Sequence, residues 1–166
     1  MFNKILVAID TSDIADRVFE RALTLAQIDR DRSHLLLVNV MSPHDAGYPD
    51  LPVLPALDPH YPANLPPEVV ATYVQKWEDY RHPALAQLAK FKQTATAAGI
   101  KVESLQVFGE PGATICNLAQ DKAVDLIAIS RHGKKGWSEL WLGSVSNYVL
   151  HHAPCSVLTV QHHSPQ

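Results

Sequence analysis

The sequence predicts an α/β domain built on a parallel sheet, and three observations carry that prediction. Short apolar runs recur along the chain without alternation, as in strands covered on both faces. Segments between them repeat apolar residues at helical spacing. One of the runs passes directly into a loop of small and basic residues and then into a helix that opens on Gly-Ser. Strands alternating with helices form parallel sheets with right-handed crossovers. Ligands of such sheets bind beyond the carboxyl ends of the strands, where the strand order reverses. A chain of 166 residues fits one domain, 1–166, with a full core.

The first run is Ile5 to Ile9, ending at Asp10. Ser12 offers an N-cap and Asp13 a first-turn acid. Ile14, Val18, Ala22 and Leu25, with Ala15, Phe19 and Ala26, then predict a helix from about Asp13 to Ile28. Its other face carries Asp16, Arg17, Glu20 and Arg21. Leu35 to Val40 is the second strand.

A long proline-rich insertion, about 42–66, follows. Nine of the twelve prolines fall between Pro43 and Pro83, so the stretch up to Pro67 is neither a central strand nor a regular helix. Its Leu51, Val53, Leu54, Leu57, Tyr61 and Leu65 predict packing against the domain itself, a partner subunit or the rim of a ligand site.

Pro67 suits the first turn of a helix that runs to about Ala98, with a kink or break at Pro83 and a stop at Gly99. Val102 to Phe108 is the third strand. Gly109 to Gly112 reads as a turn, and Ala113 to about Lys122 as a helix. Val124 to Ile129 is the fourth strand, Ser144 to His152 a helix and Ser156 to Gln161 a fifth, edge strand. The tail 162–166 is expected to fray.

Composition narrows the function. A net charge of −3 argues against non-specific nucleic-acid binding through a basic face. No apolar run approaches the ~18 residues of a membrane span, and no signal peptide fits the N-terminus. Cys116 and Cys155 have no CxxC spacing and read as reduced thiols of a cytoplasmic protein. The nine histidines lack ligand spacing, so no structural zinc site is expected. There is no Gly-x-Ser-x-Gly, His-Glu-x-x-His or P-loop, and no nucleophile–base pair stands out.

The chemistry concentrates after the fourth strand. Ser130-Arg131-His132-Gly133-Lys134-Lys135-Gly136 is followed by Gly143-Ser144-Val145-Ser146 at a helix start. Free amides and the positive end of the helix dipole then face one point, and glycines let a phosphate approach the backbone. Lys134, Lys135 and the hydroxyls of Ser144 and Ser146 add charge and donors, although paired loop lysines are more often simply solvated. Asp10 taken alone reads as an N-cap or a solvated carboxylate, and with the rest of this constellation as an acceptor for ribose hydroxyls. Trp137, Trp141 and Leu142 form an apolar patch that packs under the loop or serves as a dimer or lid surface.

These residues resemble the universal stress protein family, whose nucleotide-binding members carry Gly-x2-Gly-x9-Gly-Ser/Thr. Here the pattern reads Ser130-x2-Gly133-x9-Gly143-Ser144. The opening Lys4 to Ser12 and the stretch from Val145 to Cys155 are similar to the family too. The resemblance implies a Rossmann-like three-layer sandwich with strand order 3-2-1-4-5. It implies ATP or AMP bound beyond the first and fourth strands, with Mg²⁺ carried by the phosphates. Ala8, Ile9, Asp10 and Thr11 would flank the nucleoside, with adenine at the backbone of Val40. Ser130 to Gly136 and Gly143 to Ser146 would hold the phosphates. It further implies a homodimer through Ser156 to Gln161, acting as a nucleotide sensor with further protein partners that the sequence does not name. The chain departs from the family at Ser130, which replaces a glycine, and at Thr11. Serine serves there if only a small side chain is needed, and not if the backbone needs positive φ. A nucleotide-independent interaction module and a slow ATP hydrolase are the alternative readings.

Overall fold

Ile5, Leu6 and Val7 have no solvent exposure, and the strand they form, β1 (Lys4–Ala8), is the middle of the sheet. The computed structural model describes residues 2–49, 66–131 and 143–161. Along the chain β1 is followed by α1 (Ala15–Gln27), β2 (His34–Met41), α2 (Pro67–Ala97), β3 (Lys101–Phe108), α3 (Pro111–Asp121), β4 (Leu126–Ser130), α4 (Ser144–His152) and β5 (Ser156–Val160). All pairings are parallel, and the order is β3-β2-β1-β4-β5.

Period-two alternation divides the core between the two faces of the sheet. Ile5, Val7, Leu35, Leu37, Leu126 and Ala128 pack with Val18, Phe19 and Ala22 of α1 and Leu88, Phe91 and Ala95 of α2. Phe19 and Phe91 stack with centroids 4.3 Å apart and bind these two helices to each other. Leu6, Leu36, Val38, Ile127 and Ile129 pack with Ile115, Cys116 and Ala119 of α3 and Val149 of α4. The handedness rule explains the split. The chain builds outward from β1 to β3, then returns to β4 and β5, so right-handed crossovers put the later helices on the opposite face. The reversal leaves a crevice between β1 and β4.

Local expectations changed in two places. Ser12 does not cap α1. The N-cap is Ile14, without a side-chain hydrogen bond, and the helix begins at Ala15. Ser12 instead gives both its amide and its hydroxyl to Asp10 Oδ1, because a carboxylate two residues back competes successfully for them. Nor does Pro83 break its helix, since α2 is continuous from Pro67 to Ala97. Interior proline costs about 3 kcal/mol. The buried ridge of Ala84, Leu88, Phe91 and Ala95, which follows it directly, offsets that loss.

Other boundaries moved by one or two residues. Gly99, at φ +76, stops α2 as expected. Pro111 and Gly112 belong to α3 rather than to a turn, and Gln161 lies past β5. Cys116 is buried and Cys155 half-buried, and both are unpaired. Expectations for 50–65, for the tail 162–166, and for Trp137, Trp141 and Leu142 lie outside the described residues.

Candidate functional site

The first feature of the crevice is a backbone edge. β1 pairs with β2 only as far as Ala8↔Val38, while β2 continues against β3 to Met41↔Phe108. In a parallel strand, successive residues direct their N–H and C=O to alternate sides. Val38 faces β1, because its carbonyl accepts the Ile9 amide at 2.8 Å. Met41 faces β3, because its carbonyl accepts the Gly109 amide at 3.0 Å. Val40 therefore presents its N–H and C=O toward the space that β1 has left.

A polar chain fixes the place where β1 ends. Asn39, buried to 8% exposure, donates to the Ile9 carbonyl at 3.0 Å and accepts from Gln106 Nε2 at 3.1 Å. Gln106 in turn accepts from Arg81 Nε at 3.4 Å. The turn into Asp10 is thus tied to β2, β3 and α2. One Asp10 oxygen, Oδ1, holds Ser12, and among the described residues nothing donates to Oδ2. That oxygen is an acceptor available to a ligand hydroxyl.

On the other side, Ser130 is the last residue of β4 and pairs with Val160. Among the described non-glycine residues only Ala123 has positive φ. Ser130 therefore sits in ordinary strand backbone, and serine there carries no conformational penalty. Arg131 donates its amide to Val160 at 2.9 Å, and its carbonyl accepts the Gly143 amide at 2.9 Å. The Ser146 hydroxyl, 2% exposed, lies 3.0 Å from the Arg131 carbonyl and 2.9 Å from that of Gly143. Its single hydrogen is shared between these two carbonyls.

Gly143 is the N-cap of α4, at φ −59 and ψ 150, with no side-chain cap. The amides of Ser144, Val145 and Ser146 open the helix without i−4 partners, at the positive end of its dipole. Ala8, Ile9, Asp10, Thr11, Val40, Ser130, Arg131, Gly143, Ser144, Val145 and Ser146 all line this one crevice. His132, Gly133, Lys134, Lys135 and Gly136 lie outside the described residues.

Sequence reasoning gave the rim of a ligand site as one of three places for the insertion 42–66, but it did not foresee the part that α2 plays in the outer wall. Among the described residues, Ser42, His44 to Pro49, one face of α2 and the start of α3 also line the crevice. Tyr80 donates to Asp45 Oδ2 at 2.8 Å, and Tyr48 sets its ring edge-on to Trp77 and Tyr80 at 5.2 and 5.6 Å. Burial first, and the Asp45 carboxylate second, push the Tyr80 phenol far above its ordinary range, so it remains a donor. His44 and Glu110 face each other across the rim at 3.4 Å. The available signal was the spacing i, i+3, i+4, i+7 of Lys76, Asp79, Tyr80 and Pro83, which places them on one helix face. Among the described residues no group of three His, Cys, Asp or Glu side chains is arranged to hold a metal.

The family model described as universal stress protein family matches residues 1–161. Universal stress protein Sll1388 of Synechocystis is 34% identical over 161 residues, 97% of this chain and 99% of that one. Universal stress protein YxiE of Bacillus subtilis is 30% identical over 161 residues, 97% of this chain and 100% of that one. Among solved structures, the hypothetical protein MJ0577 superposes with a TM-score of 0.75 at 22% identity, over 99% of both chains. A universal stress protein in complex with cAMP gives 0.59 at 21%, covering 96% of this chain and 97% of that one. An Arabidopsis thaliana family protein with AMP bound gives 0.61 at 21%, covering 98% and 93%. At these identities the structural likeness speaks to the fold.

Proposed function

Because the chain belongs to the universal stress protein family, we propose that it binds an adenine nucleotide, ATP or AMP, in the crevice beyond β1 and β4. One observation carries the reading. The open backbone edge of Val40, the unengaged oxygen of Asp10 and the uncapped first turn of α4 line a single crevice. They match, in order, the hydrogen-bonding edge of a base, a ribose hydroxyl and a phosphate. The neighbours crystallised with cAMP and AMP support it. A Mg²⁺ ion would ride on the phosphates of ATP, since such ions prefer phosphate and water to an all-protein cage.

The reading extends to a cytoplasmic homodimer that senses nucleotide and signals to protein partners without dedicated catalysis. β5 is an edge of the sheet with its Val157 and Leu158 only half-buried, and an apolar edge calls for cover. A second copy pairing along β5 would supply it. The unpaired cysteines favour a reducing compartment.

Calorimetric titration with Mg-ATP and AMP, together with thermal unfolding, tests the core of this. A ligand at ~100 times its Kd stabilises by about 2.7 kcal/mol, worth several degrees in a domain of this size. No heat and no shift at millimolar nucleotide would leave the nucleotide-independent module as the better reading.

A further inference from the structure

The turn that follows β2 holds a carboxylate in a fixed pose within the crevice. Asp45 Oδ2 accepts the Ser42 amide at 2.9 Å and the Tyr80 hydroxyl at 2.8 Å. The Asp45 amide closes the turn on the Ser42 carbonyl at 3.0 Å, and the Tyr48 amide returns to the Asp45 carbonyl at 3.1 Å. Gly47, at φ +83, supplies the left-handed step between them. With Oδ2 doubly engaged the carboxylate cannot rotate freely, and among the described residues nothing donates to Oδ1. Asp45 lines the crevice together with Val40, the end assigned to the base.

From this geometry we propose that Asp45 is a specificity residue, whose Oδ1 accepts the exocyclic amine of a 6-aminopurine nucleotide. It rests on the nucleotide reading given above and names the side chain that selects its base. A charged acceptor fixed in advance rewards a base with an N–H at position 6 and repels one with a carbonyl there, whose oxygen would face the carboxylate. The side chains that hold Asp45 act through it. Tyr80 removes its rotational freedom, and Trp77 and Tyr48 pack around Tyr80.

The experiment is calorimetric titration of the full chain with AMP and with IMP, which differ in carrying an amine or a carbonyl at position 6. AMP is expected to bind the natural sequence more tightly by on the order of 10- to 100-fold. Part of that ratio reflects what the Val40 backbone reads at the neighbouring ring nitrogen, so the change on substitution is the measure. In Asp45→Asn the Ser42 amide and Tyr80 hydroxyl, both donors, keep the amide oxygen. The NH₂ then stands where Oδ1 stood, a donor facing a donor in AMP and an acceptor in IMP. The AMP-to-IMP ratio should collapse toward one or invert. Tyr80→Phe frees the carboxylate and should lower the ratio less, and it reads the same contact if Asp45→Asn fails to fold. An unchanged ratio in a variant that still binds both nucleotides overturns this inference and leaves nucleotide binding standing. Failure of the natural sequence to bind either nucleotide overturns both.

Discussion

The Gly143 amide donates to the Arg131 carbonyl at 2.9 Å, which ties the residue after β4 to the residue before α4. The site depends on this closure, because it sets the first turn of α4 beside the end of β4. It also means that the Gly143 amide is spent on the fold. Among the described residues at the start of α4, the amides left to meet an anion are those of Ser144, Val145 and Ser146.

Ser146 reinforces the closure, which makes Ser146→Ala informative. Its hydroxyl bridges the Arg131 and Gly143 carbonyls, but each carbonyl keeps an amide donor, from Gly143 and Asn147 respectively. Removing the hydroxyl therefore orphans no acceptor. The expected loss is the net worth of a hydrogen bond, about 0.5–1.5 kcal/mol, seen as a lower urea midpoint with an unchanged slope. A loss above roughly 3 kcal/mol would mean that the closure itself had opened.

Gly143→Val separates backbone from space. At φ −59 and ψ 150 any residue fits, so valine adds no backbone strain. Its cost is the poorer N-cap, roughly 1 kcal/mol. Its side chain nonetheless stands at the mouth of the first turn of α4. Nucleotide binding should vanish from calorimetry while the protein stays folded by circular dichroism. Retained affinity would remove phosphates from this end of the crevice.

Gly112 is needed for a different reason. A Cβ there would lie 2.9 Å from both Cβ and Cγ of Tyr148, and 2.7 Å from its Cδ1. The Cβ of a helical tyrosine cannot move aside by changing rotamer, so α3 and α4 must shift apart. Gly112→Ala should destabilise by about 1–3 kcal/mol. Combining it with Tyr148→Ala should recover most of that loss, a coupling that a double-mutant cycle in urea measures.

Much of this fold was legible in the sequence. Continuous apolar runs marked β1, β2 and β4, while β3 and β5 were placed as mixed stretches following a helix, and the step from Gly143 to Ser144 marked the start of α4 to the residue. The elements that sequence reasoning lost were decided by competition or by tertiary contact. Whether Ser12 caps a helix or serves Asp10 depends on which partner is closer. Whether Pro83 ends a helix depends on what lies beneath the turns after it. The Asp45–Tyr80 wall joins residues 35 positions apart, and no local pattern announces that. Asp10 and Val40 were recognisable as strand ends, but the open backbone edge at Val40 follows only from β1 stopping at Ala8.

His34 gives the fold a pH dependence with a definite sign. It opens β2 beside Lys4 and Lys101, with its amide on the Asn3 carbonyl. Burial first and the charge of Lys4 second lower its pKa, with Glu103 opposing and Lys101 and Lys122 adding to the effect. A folded pKa below the unfolded value of 6.5 means that the unfolded chain binds the proton more readily. The stability tied to His34 is then fully present above pH 6.5 and is lost as pH falls toward the folded pKa. Thermal midpoints should decline between pH 7.5 and pH 5, more steeply in the natural protein than in His34→Gln, which has no proton to take up there. Parallel profiles for the two proteins would mean that the decline belongs to other groups.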